Sequence, residues 1–387
     1  MKRKVCVYIG GRANYSSAKS ILKHVQAHPA LELQVMAGAA SVLDRYGELV
    51  KVIENDGFKV NYRFFNVVEG ETPLTMTKTT GLGLIECSTA LDNLRPDFVL
   101  VVGDRYDVLP IAIAASYMNI PLAHTMGGEV TGTIDESIRH AITKFAHVHF
   151  PANEDARERI IKMGEDPAFV FNVGCPRNDL VLSEVKKHNS LDYLKDLFQK
   201  HGGVGPAQDL TKGYLLVSQH PVTTEYGANR RNMEATLEAV NRLQMPTLLL
   251  WPNSDAGADE VSRAVRSFRE KNKPQWLHVF KDLPVETYIH LMNSTSCLVG
   301  NSSSGVREGA LLGTPVVNIG SRQNARLCGK NVINVGNGAD EIHAAIVKQL
   351  AHGRYEMDTL YGDGKAGERI ATVLAEAKPK IQKVIAY

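Results

Sequence analysis

Short runs of β-branched and other apolar residues alternate along this chain with longer segments of helical periodicity. The first half predicts strands at Lys4–Ile9, Leu31–Ala37, Lys59–Phe65, Asp97–Val102, Ile120–His124, His147–Phe150 and Ala168–Val173. Helical spacing fills the gaps at Ser16–His28, Val42–Asn55, Thr79–Leu94 and Ile134–Ala146. After Gly174 the pattern loosens through a charged helix near Leu191–Lys200 and a loop, Gly202–Pro206, that reads as an interdomain segment. A second series predicts strands at Gly213–Ser218, Thr247–Trp251, Trp276–Phe280, Cys297–Gly300, Pro315–Ile319 and Asn331–Val335. Strand and helix in strict alternation mean α/β architecture built on parallel sheets. The expected division is residues 1–179, rejoined by a C-terminal helix over 369–387, and residues 180–368.

Polar clusters fall just beyond the predicted strand ends: GDRYD, HTMGGE, SQHPVTTE, WPNSD, GNSSSGVRE and GSRQ. Ligands of open α/β sheets sit outside the carboxyl ends of the strands, so clusters at one end in both halves imply a shared cleft. The densest lies between Gly103 and Lys144, where Asp104, Arg105, Asp107, His124, Glu129, Asp135, Glu136, Arg139 and His140 crowd together.

Composition narrows the classes. With 387 residues there is enough chain for two lobes. A formal charge of +2, from 44 basic and 42 acidic residues, supplies no global field for nucleic acid or an acidic membrane. The apolar run after Lys2, Arg3 and Lys4 ends at Gly10, too short for a signal-peptide core, and no stretch approaches the roughly 18 apolar residues of a membrane span. Five scattered cysteines without a C-x-x-C pair argue against a disulfide framework or zinc site and fit a reducing cytoplasm.

Each candidate group has a bland reading beside its chemical one. Gly10-Gly11-Arg12 lets backbone approach a ligand and offers Arg12 to a phosphate, with Ser16 opening a helix to cap or bind; the bland reading is a turn. Asn301–Gly305 exposes small hydroxyl residues suited to a diphosphate, and Glu308 has two acceptor oxygens for ribose hydroxyls; the bland reading is N-capping. Pro221 forces an extended backbone at His220, although a lone histidine is more often structural. Asn253 and Asp255 suit a base or hydroxyl, or a turn. Asp135 and Arg139 share a helix face that Thr133 can cap, and otherwise make a surface ion pair. Crowding by Glu129, Asp104 and His140 favours shifted proton affinities.

Along nearly its whole length the chain resembles the hydrolysing UDP-N-acetylglucosamine 2-epimerases, through GGRANYS, GDRYD, GGEVTGTIDESIRHAITK, GCPRND, QHPVTTE, PNSDAG, GNSSSGVREG, GTPVVNIGSRQ and YGDG. The resemblance implies a GT-B architecture of two Rossmann-like domains. It also implies conversion of UDP-N-acetylglucosamine and water to N-acetylmannosamine and UDP, without redox cofactor or metal, in a homodimer or homotetramer serving sialic acid synthesis. Carried over by motif, Asp104, Asp135, Arg139 and His220 are catalytic. Arg12, Ser16, Arg105, Asn253, Ser302, Ser303, Glu308 and Arg322 bind the nucleotide or its phosphates. Two departures stand out. Met126 replaces the glutamate of the family's HIEGGE, leaving Glu129 as the candidate to take over its role, and Asn14 replaces an acid of the first loop. The alternatives are a 2,4-diacetamido nucleotide sugar as substrate and a binding module without chemistry.

Overall fold

The computed structural model describes residues 2–44, 47–70, 72–253 and 255–386. Two six-stranded parallel sheets form, each with helices on both faces. The first contains β1 (Arg3–Ile9), β2 (Leu31–Ala37), β3 (Val60–Arg63), β4 (Phe98–Val102), β5 (Leu122–Thr125) and β6 (Val148–Phe150), in the order β3-β2-β1-β4-β5-β6. The second contains β7 (Leu215–Ser218), β8 (Thr247–Leu250), β9 (Leu277–Phe280), β10 (Cys297–Gly300), β11 (Val316–Ile319) and β12 (Val332–Val335), in the order β12-β11-β10-β7-β8-β9. Both are the doubly wound order, reversing direction between β1 and β4 and between β7 and β10, where such folds open a crevice. The central strands are buried on both faces, so they read as near-continuous apolar runs such as Val5–Ile9 and Phe98–Val102.

Several boundaries differ from expectation for local reasons. Ala168–Val173 is no strand: Asp166 caps a 3-10 turn over Pro167–Phe169, and a single bridge joins Val170 to His149. Val42–Asn55 is not one helix, because Gly47 and Glu48 take left-handed backbone and the helix begins only at Leu49. The Pro73–Leu94 helix starts before Thr79, its first turn closed by a reciprocal Thr72/Thr75 capping box. Leu191–Lys200 splits into Ser190–Tyr193 and Leu197–His201. Gly202–Pro206, expected as an interdomain segment, lies against β9. Val204 bridges to Val279, and the His278 ring contacts the carbonyls of Gly202 and Pro206 at 2.8 and 3.0 Å.

The chain passes between the lobes twice, side by side. The Pro176–Lys187 helix packs on the Arg12–Ala27 helix of the first lobe and on Val285–Ser294 of the second, around Leu180, Val181, Ile289 and Leu311. The return passes Tyr361, whose carbonyl accepts from Cys175 N–H at 2.7 Å, into the Ala366–Glu376 helix. Asp179 accepts from Ala366 N–H at 3.0 Å and Gly367 N–H at 2.7 Å, fixing the start of that helix on the first lobe. The expected helix over 369–387 therefore begins earlier and stops at Glu376. Beyond it the chain runs unwound along β6: Ile381 O meets the His147 ring at 2.9 Å and Ala386 N–H donates to Gly164 O at 2.9 Å.

Glu165 anchors this strap. It is 3% exposed and pairs with Lys144, Lys383 and His149. Burial works against its charge, but these partners outweigh burial and hold it at about 2. A depressed carboxylate stabilises the fold above its unfolded pKa and loses that contribution as pH falls through the folded value. Glu165→Gln is expected to lower unfolding free energy at pH 7 by ~3 kcal/mol in urea titrations, with the gap to the parent chain closing between about pH 5 and pH 2.

Candidate active site

The crevice of the first sheet is held by Asn14. Its side chain accepts from Gly10 N–H at 3.3 Å and donates to Val102 O at 2.7 Å, stapling the ends of β1 and β4. The residue that departs from the family's acid is thus 4% exposed and structural. The helix after β1 begins at Arg12 with Gly11 as N-cap, so Ser16 lies inside it and caps nothing. Ser16 Oγ instead donates to Ala13 O at 3.2 Å and accepts from Arg177. Arg12 reaches across the cleft to Asp282 at 2.5 Å.

The second cluster follows β4 and β5. His124 is fully buried, with Nε2 2.9 Å from Gly103 O and Nδ1 3.2 Å from Thr143 Oγ1. Burial lowers it to about 3, so it is a neutral post that positions the turn carrying Asp104. Asp104 receives Arg139 through Nε at 2.9 Å and through Nη2. Burial opposes its charge, yet the guanidiniums of Arg139, Arg326 and Arg307 prevail and hold Asp104 below the usual carboxylate range. Arg139, 1% exposed, also grips Glu136 at 3.0 Å and the Glu129 carbonyl at 2.8 Å. The helix-face pairing of Asp135 with Arg139 does not form, because Asp104 and Glu136 take the guanidinium. His140 leans on Glu136 at 2.9 Å, and Thr133 Oγ1 accepts from Asp135 N–H at 3.3 Å, but Thr133 is not the expected cap, because the helix starts one residue later on Ile134, which makes no side-chain cap bond.

Asp135 is therefore left facing the cleft. Burial, then the charges of Asp104 and Asp255, raise it to about 6, against the pull of Arg322 and Arg105. Glu129 has the opposite setting. It is 3% exposed and lies 3.2 Å from Arg326 and 3.4 Å from Arg307, both from the second lobe. That geometry makes Glu129 a tie between lobes, not a replacement for the missing glutamate. Met126 sits beside it with left-handed backbone, φ 63°, and its sulfur 3.9 Å from Arg307. Burial brings Arg326 down to about 10, with Arg307 and Arg139 adding to it and Glu129 opposing.

In the second lobe His220 and Asn301 tie β7 to β10 reciprocally. His220 N–H donates to Asn301 Oδ1 at 2.7 Å, and Asn301 Nδ2 donates to His220 O at 2.8 Å. His220 Nδ1 accepts from Asn253 N–H at 3.3 Å, which puts the proton of the neutral ring on Nε2. Burial and Arg322 keep it neutral, at about 3, with Asp255 opposing. Asn253 donates to Asp255 at 2.7 Å, and Asp255 pairs across the cleft with Arg105 at 2.9 Å. Arg105 also holds the buried Asp107 at 3.1 Å. Ser302 caps the short turn Ser303–Val306, and the helix breaks at Arg307 before resuming at Glu308. Glu308 is 1% exposed and faces Arg177 at 2.9 Å. Arg322 donates to Asn301 O at 3.2 Å. Its backbone carbonyl accepts from Gly132 N–H at 3.2 Å, an approach so close that a Cβ on Gly132 would lie 1.9 Å from Ser321 O.

The predicted residues of both lobes thus converge on one cleft. Sequence reasoning missed Arg177, Asp282, Arg307 and Arg326, the countercharges. Arg307 and Arg326 carry no spacing signal of their own. Arg177 stood inside GCPRND, behind a helix-starting proline.

Two Rossmann-like lobes closing on paired carboxylates and arginines define a GT-B architecture with an interlobe site. The family model of UDP-N-acetylglucosamine 2-epimerase matches residues 23–375. A UDP-N,N'-diacetylbacillosamine 2-epimerase (hydrolyzing) from Legionella pneumophila is 31% identical over 374 residues, 97% of this chain and 96% of that one. A UDP-N-acetylglucosamine 2-epimerase from Neisseria meningitidis is 29% identical over 384 residues, 97% and 95%. Among solved structures, the Neisseria meningitidis UDP-GlcNAc 2-epimerase bound to UDP-GlcNAc superposes with a TM-score of 0.81 at 17% identity, covering 97% of this chain and all of that one. The Methanocaldococcus jannaschii enzyme in complex with UDP-GlcNAc and UDP gives 0.80 at 18%, with the same coverage. The chain belongs to the UDP-N-acetylglucosamine 2-epimerase family and is an epimerase of nucleotide sugars. No helix among its described residues is long and apolar enough to cross a membrane.

Glu129→Gln strands two buried guanidiniums. It is expected to cost about 3–5 kcal/mol of stability in chemical denaturation, where a residue with a purely chemical role would leave the midpoint unmoved.

Proposed function

We propose that the protein hydrolyses UDP-N-acetylglucosamine with inversion at C2, releasing UDP and free N-acetylmannosamine for sialic acid-type sugar synthesis, as a cytoplasmic homodimer or homotetramer. The observation that carries this reading is Asp135, raised to about 6 by burial and by the charges of Asp104 from the first lobe and Asp255 from the second.

The hydrogen on C2 is not acidic in the starting sugar. Cleavage of the C1–O bond, with the electron pair leaving on the diphosphate, builds positive charge at C1 and loosens it. Arg12, Arg322, Ser302 and Ser303 would hold the diphosphate, and His220 Nε2–H would donate to the departing oxygen; charge-assisted hydrogen bonds of roughly 1.5–3 kcal/mol each lower this barrier if they strengthen as charge develops. Arg105, Asn253 and Glu308 would read the nucleoside once their present partners release them. A base takes the C2 proton, leaving 2-acetamidoglucal. Water then adds across the double bond, its oxygen to C1 and a proton to C2 from the opposite face.

The family resemblance makes both Asp104 and Asp135 catalytic, with Asp104 the first candidate for the C2 base. Arg139 makes Asp104 a weak base, so we assign proton transfer to Asp135 and the orientation of the sugar to Asp104 with Arg139. A group near pH 6 is largely ionised at neutrality and takes the C2 proton, while the proton that inverts C2 arrives on the other face from a second donor. Asp135→Asn is expected to lower kcat by about 10²–10⁴-fold with little change in UDP affinity by calorimetry. In the parent chain, kcat/KM should rise with pH through about 6 as Asp135 ionises. An acid limb that persists unchanged in a residually active Asp135→Asn chain would overturn the assignment.

A second reading has its own support. Arg326 Nε–H is buried without a hydrogen-bond acceptor, and Arg307, beside Met126 where a carboxylate is missing, has for its Nε–H only the 3.4 Å ion pair with Glu129. A further acyl carbonyl on the sugar would satisfy them, and the Legionella pneumophila relative is named for a diacetamido sugar. Turnover of both UDP-sugars in deuterated water, followed by NMR, decides between them. The preferred substrate should show the higher kcat/KM, and its free sugar should carry one deuterium at C2. A product that keeps the original C2 hydrogen sinks both readings.

A further inference from the structure

We infer that Asp107 is a positioning residue: it clamps the Arg105 guanidinium through Nε, so that this charge stays beyond ion-pair distance of Asp135 while Nη1 remains free to exchange Asp255 for a ligand. The inference rests on the reading of Asp135 as the group that takes the C2 proton.

Asp107 follows Asp104 and Arg105 in the turn after β4 and is 2% exposed. A buried carboxylate persists only with partners, and this one has two of unequal kind. Its Oδ1 accepts from Arg105 Nε–H at 3.1 Å, and its Oδ2 accepts from the Tyr8 hydroxyl at 3.4 Å. Burial, then Asp107 itself, keeps that hydroxyl protonated and donating. Tyr8 is fully packed and its ring stacks on Phe64, so the carboxylate is backed by core side chains and cannot follow the guanidinium outward.

Gly10 makes the room. Its backbone is not left-handed, so its conformation does not call for glycine. A Cβ there would overlap the Asp107 carboxylate and come within 2.9 Å of Tyr8 Oη. The space that the first glycine of GGR leaves open is taken by Asp107.

The guanidinium held in this way places Nη1 2.9 Å from Asp255 of the second lobe. Burial works against its charge, and Asp255 and then Asp107 outweigh burial. Asp135 feels this charge: burial, Asp104 and Asp255 raise it, and Arg322 and Arg105 pull it down. Asp107 is not among those influences, so it reaches Asp135 through Arg105. The other groups around Asp135 are committed or neutral. On its own helix Arg139 pairs with Asp104 and Glu136. Leu109–Tyr117 and β5, packed on that helix, bring neutral His124 and exposed Tyr117, and Glu225 of the second lobe is held by Ser321 and Asn232. A ligand that displaces Asp255 from Nη1 would release Arg105 toward Asp135 if Nε were not held.

Carbon-13 NMR titration of the full chain, labelled at its aspartate carboxyls, tests this without turnover; the Asp135 signal is assigned by its loss in D135N. In the parent chain Asp135 should titrate at about 6. D107N keeps the shape of the side chain and removes its charge. The loosened guanidinium then closes on Asp135, which should titrate about 1–3 pH units lower, and kcat on UDP-N-acetylglucosamine should fall about tenfold as the base weakens. G10A crowds Asp107 aside and should move Asp135 the same way with Asp107 still present. R105Q removes the guanidinium and should move Asp135 upward, and D107N added to R105Q should move it no further. An Asp135 unmoved in D107N, or in a G10A chain with parental circular dichroism, overturns the inference and leaves the proposed function standing. A D107N effect that persists in R105Q also overturns it, because Asp107 would then act without Arg105. The expected titrations in a chain that releases no free sugar would sink the proposed function and leave the positioning role intact.

Discussion

The cleft exists because oppositely charged side chains from two lobes are buried against each other across it. A lone charge withdrawn from water costs several kcal/mol even after relaxation, so the carboxyl ends of these sheets tolerate charge only in pairs. Arg105 with Asp255, Glu129 with Arg307 and Arg326, and Arg177 with Glu308 meet that condition between residues far apart in the chain. One carboxylate does not meet it. Among the described residues Asp135 has charged neighbours of both signs but no guanidinium within ion-pair distance, and its proton affinity rises accordingly. The same electrostatics that close the lobes prepare one acid for work near neutral pH.

Asp104 and Asp135 show how environment separates two identical side chains. Arg139 could pair with either by helix and loop geometry, and its choice of Asp104 decides which is locked as an anion and which remains exchangeable. His124 and His220 show the same division among histidines. Both are neutral, but His124 spends both ring nitrogens on Gly103 and Thr143, while His220 spends one on Asn253 and has for the other only a long 3.5 Å contact with Ser218 Oγ.

Much of this was legible in the sequence. All twelve strands were expected, because buried parallel strands advertise themselves as apolar runs between helices, and the polar loops after them marked the cleft. The errors lay where short-range rules compete. Ala168–Val173 has strand composition, but Asp166 and Pro167 make a better turn. Ser16 looked like a cap, and the helix had already begun at Arg12 on Gly11. The glycines of Gly202–Pro206 read as an interdomain segment, and they allow the chain to lie flat on β9. At the site, residues within motifs were found and their countercharges were not. A sequence shows that Glu129 is an acid near other acids, but not that Arg307 and Arg326, nearly two hundred positions later, will fold over it.

The strap formed by the chain's end has a consequence for how the protein is made. The first lobe appears early in the sequence, yet its surface is finished by the Ala366–Glu376 helix and by the segment running to Ala386. On the ribosome, most of that lobe emerges long before the pieces that cover it. Its exposed helix faces must wait, uncovered, until residues 366–386 have been made, so the lobe begun first reaches its final form only after the second lobe has been synthesised.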